Sequence, residues 1–223
     1  MTPTFPKTGF LAEASEALRD MIDDVALETR LAAGEMLFEQ GDEASALYGL
    51  IEGALEVSVL SLDGRKLALN VLRPGALFGE IALFDPGERT ATVVATEPSV
   101  VKRVDYDNVL DRVREEPELA IDQIHLAGQR MRWMDRQLNE QVFLPMPSRL
   151  ARKIIYLTDR PEGGPVTLAL SQAELAEFVG ATREAVSKTL SLWKKAGVIS
   201  VARGAISVLD RTALQTLADP DQI

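Results

Sequence analysis

The hydrophobic period changes once along the chain, near Pro117, and that change restricts it to a fold with two regimes. From about Leu31 to Val104, apolar and polar residues alternate in short runs broken by Gly34, Gly41, Gly53, Gly64, Gly75 and Gly79. Leu55, Val57 and Val59 are expected to share one face of a strand and Leu67, Leu69 and Val71 one face of the next, with Asp63-Gly64 in the turn between them. Many short strands with regular turns predict a β-barrel or jelly roll rather than a parallel sheet. After Pro117 the pattern becomes helical as far as Phe143, without an internal proline. Ala120, Ile124, Ala127, Met131, Met134 and Leu138 follow one another at alternating spacings of four and three, a seam of period 3.5.

One helix with such a seam needs something to pack on. The candidates are its own barrel and the same helix of a second copy about a two-fold axis, and a homodimer is the expectation. The segment Phe143-Leu144-Pro145-Met146-Pro147-Ser148 ends the helix, because each proline lacks a donor and pushes the residue before it out of the α region. It is expected to be a hinge, with helix resuming near Ser148. A further helix is expected around Glu13 to Asp24. The fold class is therefore α+β in three parts, 1–116, 117–144 and 145–223.

Composition narrows the chemistry. The 223 residues include no cysteine, which excludes disulfides, thiolate zinc sites and cysteine-ligated clusters, and agrees with a reducing, cytoplasmic setting. The N-terminus lacks a cationic stretch followed by an apolar run, and no segment reaches the roughly 18 apolar residues that a membrane span requires. A net charge of −10 argues at first against nucleic acid. Its distribution reverses that argument. From Pro145 onward there are 10 Lys and Arg against 8 Asp and Glu, and between Ala181 and Gly204 five cations face Glu184 alone.

Within that basic stretch, Ser171-Gln172-Ala173-Glu174 has the form of a capping box and starts a helix that carries Leu175, Ala176 and Val179 inward and stops at Gly180. Thr182 caps a second helix with Val186, Leu190 and Trp193 on its core side. Two short helices about a Gly-Ala-Thr turn make a helix-turn-helix. The alternation from Val198 to Leu209, about Arg203-Gly204, adds a two-stranded wing. Arg183, Glu184, Ser187 and Lys188 lie on the outer side of the second helix's first turns. Arginine can donate twice to guanine, glutamate can accept from cytosine N4, and lysine can meet guanine or phosphate. Double-stranded DNA is the expected partner, with Ser171, Gln172, Thr182 and Arg203 flanking the readers. A surface ion pair between Arg183 and a neighbour is the plainer alternative.

The segment "LSQAELAEFVGATREAVSKTLSLWKKAGVI" resembles the winged helix-turn-helix of the catabolite activator (cyclic-AMP receptor) and fumarate–nitrate reductase regulator family, CRP/FNR, and the similarity extends over nearly the whole chain. The resemblance implies an effector-binding domain (1–116), a dimerisation helix (117–144) and a DNA-binding domain (145–223). It also implies palindromic sites with GTGA-like half-sites and contact with RNA polymerase. Arg183 and Glu184 then stand where family members read a G·C pair, while Lys188 departs from the arginine of the best-known members.

The segment "FGEIALFDPGERTATVV" resembles the phosphate-binding cassette of cyclic-nucleotide domains. Glu80 can accept from a ribose 2′-hydroxyl, while Arg89, the Thr90 hydroxyl and backbone amides near Ile81 and Ala82 can surround a cyclic phosphate. Gly79 permits close approach of the backbone. The bland alternative is a Glu80–Arg89 salt bridge. The effector is expected to be cyclic AMP or cyclic GMP. Where cyclic-AMP activators meet adenine with Thr-Ser, this chain has Met134-Asp135; Asp135 can accept from guanine N1 and N2, and the plainer alternative is a solvated flank of the dimer seam. A regulator with another effector or none, and a nucleotide-binding subunit acting on a protein partner, are the alternatives. Haem ligation by the single His125 is a further one, and no catalytic constellation is expected.

Overall fold

A computed structural model describes residues 19–20, 23–24, 26–158, 167–168, 170–202 and 204–219. Of the expected N-terminal helix, residues 19, 20, 23 and 24 are helical, and residues 13–18, 21 and 22 lie outside the described residues, as does Arg203. The chain divides into two compact units, one ending at Trp133 and the other beginning at Met134, with residues 65–68 grouped with the second.

In the first unit, strands β1 (Leu27–Leu31), β8 (Ser99–Asp105), β3 (Ala46–Glu52) and β6 (Leu77–Phe78) form one sheet in that order. Strands β2 (Met36–Phe38), β7 (Thr92–Ala95), β4 (Leu55–Leu60) and β5 (Lys66–Leu72) form the other. The pairs with a defined register are antiparallel. The expected barrel is thus two four-stranded sheets of jelly-roll type, not a closed cylinder. Strand β3 shows why the core has two layers. Ala46, Tyr48 and Leu50 point between the sheets, whereas Leu47 and Ile51 point outward into a second apolar cluster with Tyr106, Val109, Leu119 and Leu126. The expected face of β5 is different from the sequence pattern: Ala68 and Leu72 are buried with Val71, and Leu67 and Leu69 are only half covered. Period-two reading fails there because the small Ala68 takes the inner position.

Helices α1 (Ile81–Phe84) and α2 (Tyr106–Glu115) follow β6 and β8, and α3 (Leu119–Phe143) is the long helix expected from the 3.5 period. Two stripes run along it. Leu119 and Leu126 are buried in the outer cluster of the sandwich. The seam is not: Ile124, Met131, Met134 and Leu138 are 68, 66, 48 and 62% exposed. The alternative in which that seam packs on its own sandwich is therefore not what the fold uses.

The second unit contains α4 (Met146–Leu157), β9 (Thr167–Leu168), α5 (Gln172–Val179), α6 (Arg183–Lys195), β10 (Ile199–Ala202), β11 (Ala205–Val208) and α7 (Arg211–Ala218). Helix α4 starts two residues before the expected Ser148, because Pro147 in its first turn gives up a donor that would have no intrahelical acceptor anyway. The wing gains a third strand in the order β10-β11-β9. Leu150, Ile154, Leu175, Val186, Leu190 and Leu214 are completely buried in this unit. Among the described residues, no helix is long and apolar enough to cross a membrane.

Candidate functional site

Strand β6 delivers Gly79 and Glu80 to the edge of the sandwich. Gly79 has φ +75°, and a Cβ there would lie 2.8 Å from Nη1 of Arg89. The positive φ is what favours glycine here, and a Cβ would in addition displace the Arg89 guanidinium. Arg89 is buried, with Nη1 donating to the Gly79 carbonyl at 3.1 Å and the Tyr106 hydroxyl at 3.2 Å, and Nη2 to the Ala46 carbonyl at 2.7 Å. Its guanidinium carbon lies 4.3 Å from the Phe38 ring centroid and 5.5 Å from that of Tyr48. The Tyr106 hydroxyl also donates to the Gly79 carbonyl. Burial pushes the Tyr106 phenol above its ordinary range, against the opposing pull of Arg89.

The bland Glu80–Arg89 salt bridge does not form; each group is engaged elsewhere. Buried Glu80 accepts from Nε of Arg130, on α3, at 2.8 Å. Its other oxygen, Oε2, is buried without a partner, and so is Nε of Arg89. A buried carboxylate oxygen without a hydrogen bond costs about 1–3 kcal/mol or more. The groups left waiting are thus one acceptor beside an ion pair and one donor on a cation held by carbonyls and rings. A hydroxyl donor joined to an anion would satisfy both, so the donor set fits a cyclic nucleotide.

The remaining expected contacts are less enclosed. Ala82 is buried in the outer cluster, Ile81 is 39% exposed, and Thr90 is exposed at the surface. Met134 is on the open seam, and Asp135 is exposed, accepting from Nδ2 of Asn139 at 3.4 Å. His125 is exposed on α3. Sequence reasoning missed Arg130, Tyr106 and Phe38. Arg130 had a signal: Leu119, Gln123, Leu126, Arg130 and Trp133 repeat at four and three, a second stripe one residue out of phase with the seam.

In the second unit the frame is local. The Ser171 hydroxyl accepts from the Glu174 amide at 3.2 Å, and the Glu174 carboxylate accepts from the Ser171 amide at 2.7 Å. Gly180 closes α5 in the left-handed region with φ 59°, and the Thr182 hydroxyl accepts from the Ala185 amide at 3.3 Å to open α6. Arg183, Glu184 and Lys188 project into solvent, and Ser187 is half buried. Glu184, Lys188, Ser191 and Lys195 make one exposed stripe along α6. A cavity of about 290 Å³ opens beside Ser171, Gln172 and Arg183 and is closed by Val201, Ala202 and Gly204 of the wing. The frame is held from behind by Arg149, which donates to the Leu144 carbonyl at 2.9 Å and the Val179 carbonyl at 3.1 Å, at the ends of α3 and α5.

Residues 28–116 match the cyclic nucleotide-binding domain family, and residues 148–217 match the Crp-like helix-turn-helix domain family. The chain is 30% identical over 186 residues to the CRP-like cAMP-activated global transcriptional regulator of Mycobacterium tuberculosis, covering 81% of this chain and 83% of that one. It is 32% identical over 185 residues to the cyclic AMP receptor protein of Thermus thermophilus, covering 83% and 85%. A second Thermus thermophilus protein, a transcriptional regulator of the CRP/FNR family known as a crystal structure, superposes with a TM-score of 0.75 at 26% identity, over 88% of this chain and 100% of that one. With a cyclic nucleotide-binding jelly roll followed by a Crp-like helix-turn-helix, the chain belongs to the CRP/FNR family of transcriptional regulators.

Proposed function

We propose that this regulator is a cytoplasmic homodimer that binds palindromic DNA with GTGA-like half-sites when a cyclic nucleotide occupies the cradle of Gly79, Glu80, Ile81, Ala82, Arg89 and Thr90. Parts 1–116, 117–144 and 145–223 then divide the work into effector binding, dimerisation and DNA reading. The observation that carries the effector assignment is the unpartnered Oε2 of Glu80, buried beside its ion pair with Arg130. Cyclic AMP is the first ligand to test, since both named relatives carry it in their names. Cyclic GMP is the second, on the exposed carboxylate of Asp135 next to Met134.

The open apolar seam of α3 supports dimerisation, because about two-thirds of Ile124, Met131 and Leu138 would otherwise stay in water. Arg183, Glu184, Ser187 and Lys188 are the base readers, and Ser171, Gln172, Thr182 and Arg203 are backbone contacts. A two-fold dimer presents its two recognition helices to successive major grooves about 34 Å apart. The nucleotide shifts the population of the DNA-binding state only by its preference for that state. RNA polymerase is the downstream partner.

Calorimetric titration of the full-length protein with cyclic AMP and cyclic GMP, followed by mobility shift on a GTGA palindrome with and without the tighter ligand, tests this function. Saturable binding and a ligand-dependent, salt-sensitive shift are expected. Absence of binding by either nucleotide would overturn the effector assignment while leaving DNA binding to be judged by the shift.

A further inference from the structure

We infer that Trp133 is the aromatic wall on which the base of the effector stacks, so that the cradle selects 3′,5′-cyclic purine nucleotides by the face of the base. This assignment rests on the proposal of a cyclic nucleotide effector and names how its base is held. Leu119, Leu126 and Trp133 occupy one heptad position of α3. The first two are buried by the sandwich, at 2 and 6% exposure. Trp133 keeps their direction one heptad further on, yet it is partly exposed where they are buried, and it belongs to neither apolar cluster of the sandwich. It also stands outside the open seam, whose nearest members are Met131 and Met134, so the partner helix of a two-stranded packing does not account for it.

The contacts of Trp133 lead to the cradle. The Arg130 guanidinium lies 5.5 Å from the indole centroid, and the same guanidinium holds Glu80 at 2.8 Å. The sugar chemistry completes the path. A ribose whose 2′-hydroxyl donates to Oε2 of Glu80 carries its base on the adjacent carbon, which sets the base beside the Arg130–Trp133 pair. There an indole face, already polarised by a cation, offers a broad stacking surface. Stacking is indifferent to the edge groups that separate adenine from guanine, but it weakens with the smaller ring of a pyrimidine.

Three measurements on the full-length protein test the inference. Calorimetry is expected to find cyclic AMP and cyclic GMP bound more tightly than cyclic CMP, and Trp133→Ala is expected to weaken cyclic AMP roughly ten-fold or more, in line with base stacking on aromatic side chains. Trp133→Tyr, which keeps an aromatic face, is expected to recover most of that loss and to show that the alanine variant did not simply misfold. Cyclic AMP is expected to quench tryptophan fluorescence in the wild type and not in Trp133→Phe, where only the buried Trp193 remains. Wild-type affinity in Trp133→Ala, or a quench that persists in Trp133→Phe, would overturn the stacking role while the nucleotide assignment stands. Failure of the wild type to bind any of the three nucleotides would remove both.

Discussion

The cradle of the first unit and the helix-turn-helix of the second handle charge in opposite ways. In the cradle, Glu80 and Arg89 are 6 and 7% exposed, reached by neighbours from β2, β3, α2 and α3, and each keeps one buried atom without a partner. In the helix-turn-helix, Arg183, Glu184 and Lys188 stand in solvent on a frame whose caps are formed within three residues. On the proposed function, the difference follows from the size of what each would bind. A small ligand gains affinity by being enclosed and by completing hydrogen bonds that the protein leaves open. A duplex must be met from the surface by groups that are already aimed, since its phosphates and base edges cannot be swallowed. The acidic first part and the basic stretch around Arg183 express the same division, because only the second unit has to approach a polyanion.

The largest expected effect comes from breaking the enclosed side. Arg89→Ala removes three hydrogen bonds and the packing on Phe38, and it takes away the cation that would balance a cyclic phosphate. Cyclic AMP affinity is expected to fall by about 100-fold or more, the loss of one or two charge-assisted hydrogen bonds at about 1.5–3 kcal/mol each. Calorimetry reads it, and an unchanged affinity would show that Arg89 is structural only. On the exposed side, Glu184→Ala is expected to leave thermal stability unchanged and to relax discrimination at one base pair by about 1–3 kcal/mol. Competition mobility shifts with single-base variants measure that; equal weakening on every sequence would make Glu184 a general contact rather than a reader.

How much of each region was legible in the sequence tracks the same contrast. The capping box at Ser171, the left-handed stop at Gly180 and the Thr182 cap are local, so three or four letters sufficed to place them. The cradle is assembled over long separations: Glu80 meets Arg130 fifty residues away, and Arg89 meets Ala46 forty-three residues away. Glu80 and Arg89 themselves stood out through a resemblance, but their partners did not, because a 3.5 period locates a stripe without saying what it faces. Short elements were lost for another reason. Strand β9 has two residues and cannot show alternation, and α7 has eight residues, with an Asp210 cap as its only start signal. The jelly roll was legible as a class, but whether its sheets close was not, since period-two strands are the same in a cylinder and in two stacked sheets.

Ser171→Ala sharpens the comparison at a smaller scale. The hydroxyl that accepts from Glu174 is lost, and a stability loss of about 1 kcal/mol is expected for the second unit, measured by urea unfolding, with ligand affinity in the cradle unaffected.

The smallest expected effect asks whether a half-buried cation outside the proposed sites is merely costly. Lys153, on α4, has its ammonium 5.6 Å from the Tyr156 ring centroid and 5.3 Å from that of Phe178. Burial lowers its pKa from the ordinary 10.5, only partly opposed by Glu140. In the window between the lowered value and 10.5 the unfolded chain holds more protons than the folded one, so stability rises with pH there. Below that window the folded state bears the full cost of a charged, poorly hydrated ammonium. Lys153→Met, similar in length and without charge, is expected to melt slightly higher than the wild type at neutral pH, with the advantage shrinking as pH climbs toward 10.5. Thermal melts across that range decide it. A wild type that is more stable than Lys153→Met at every pH would mean that the ring faces and Glu140 more than offset the burial of this cation.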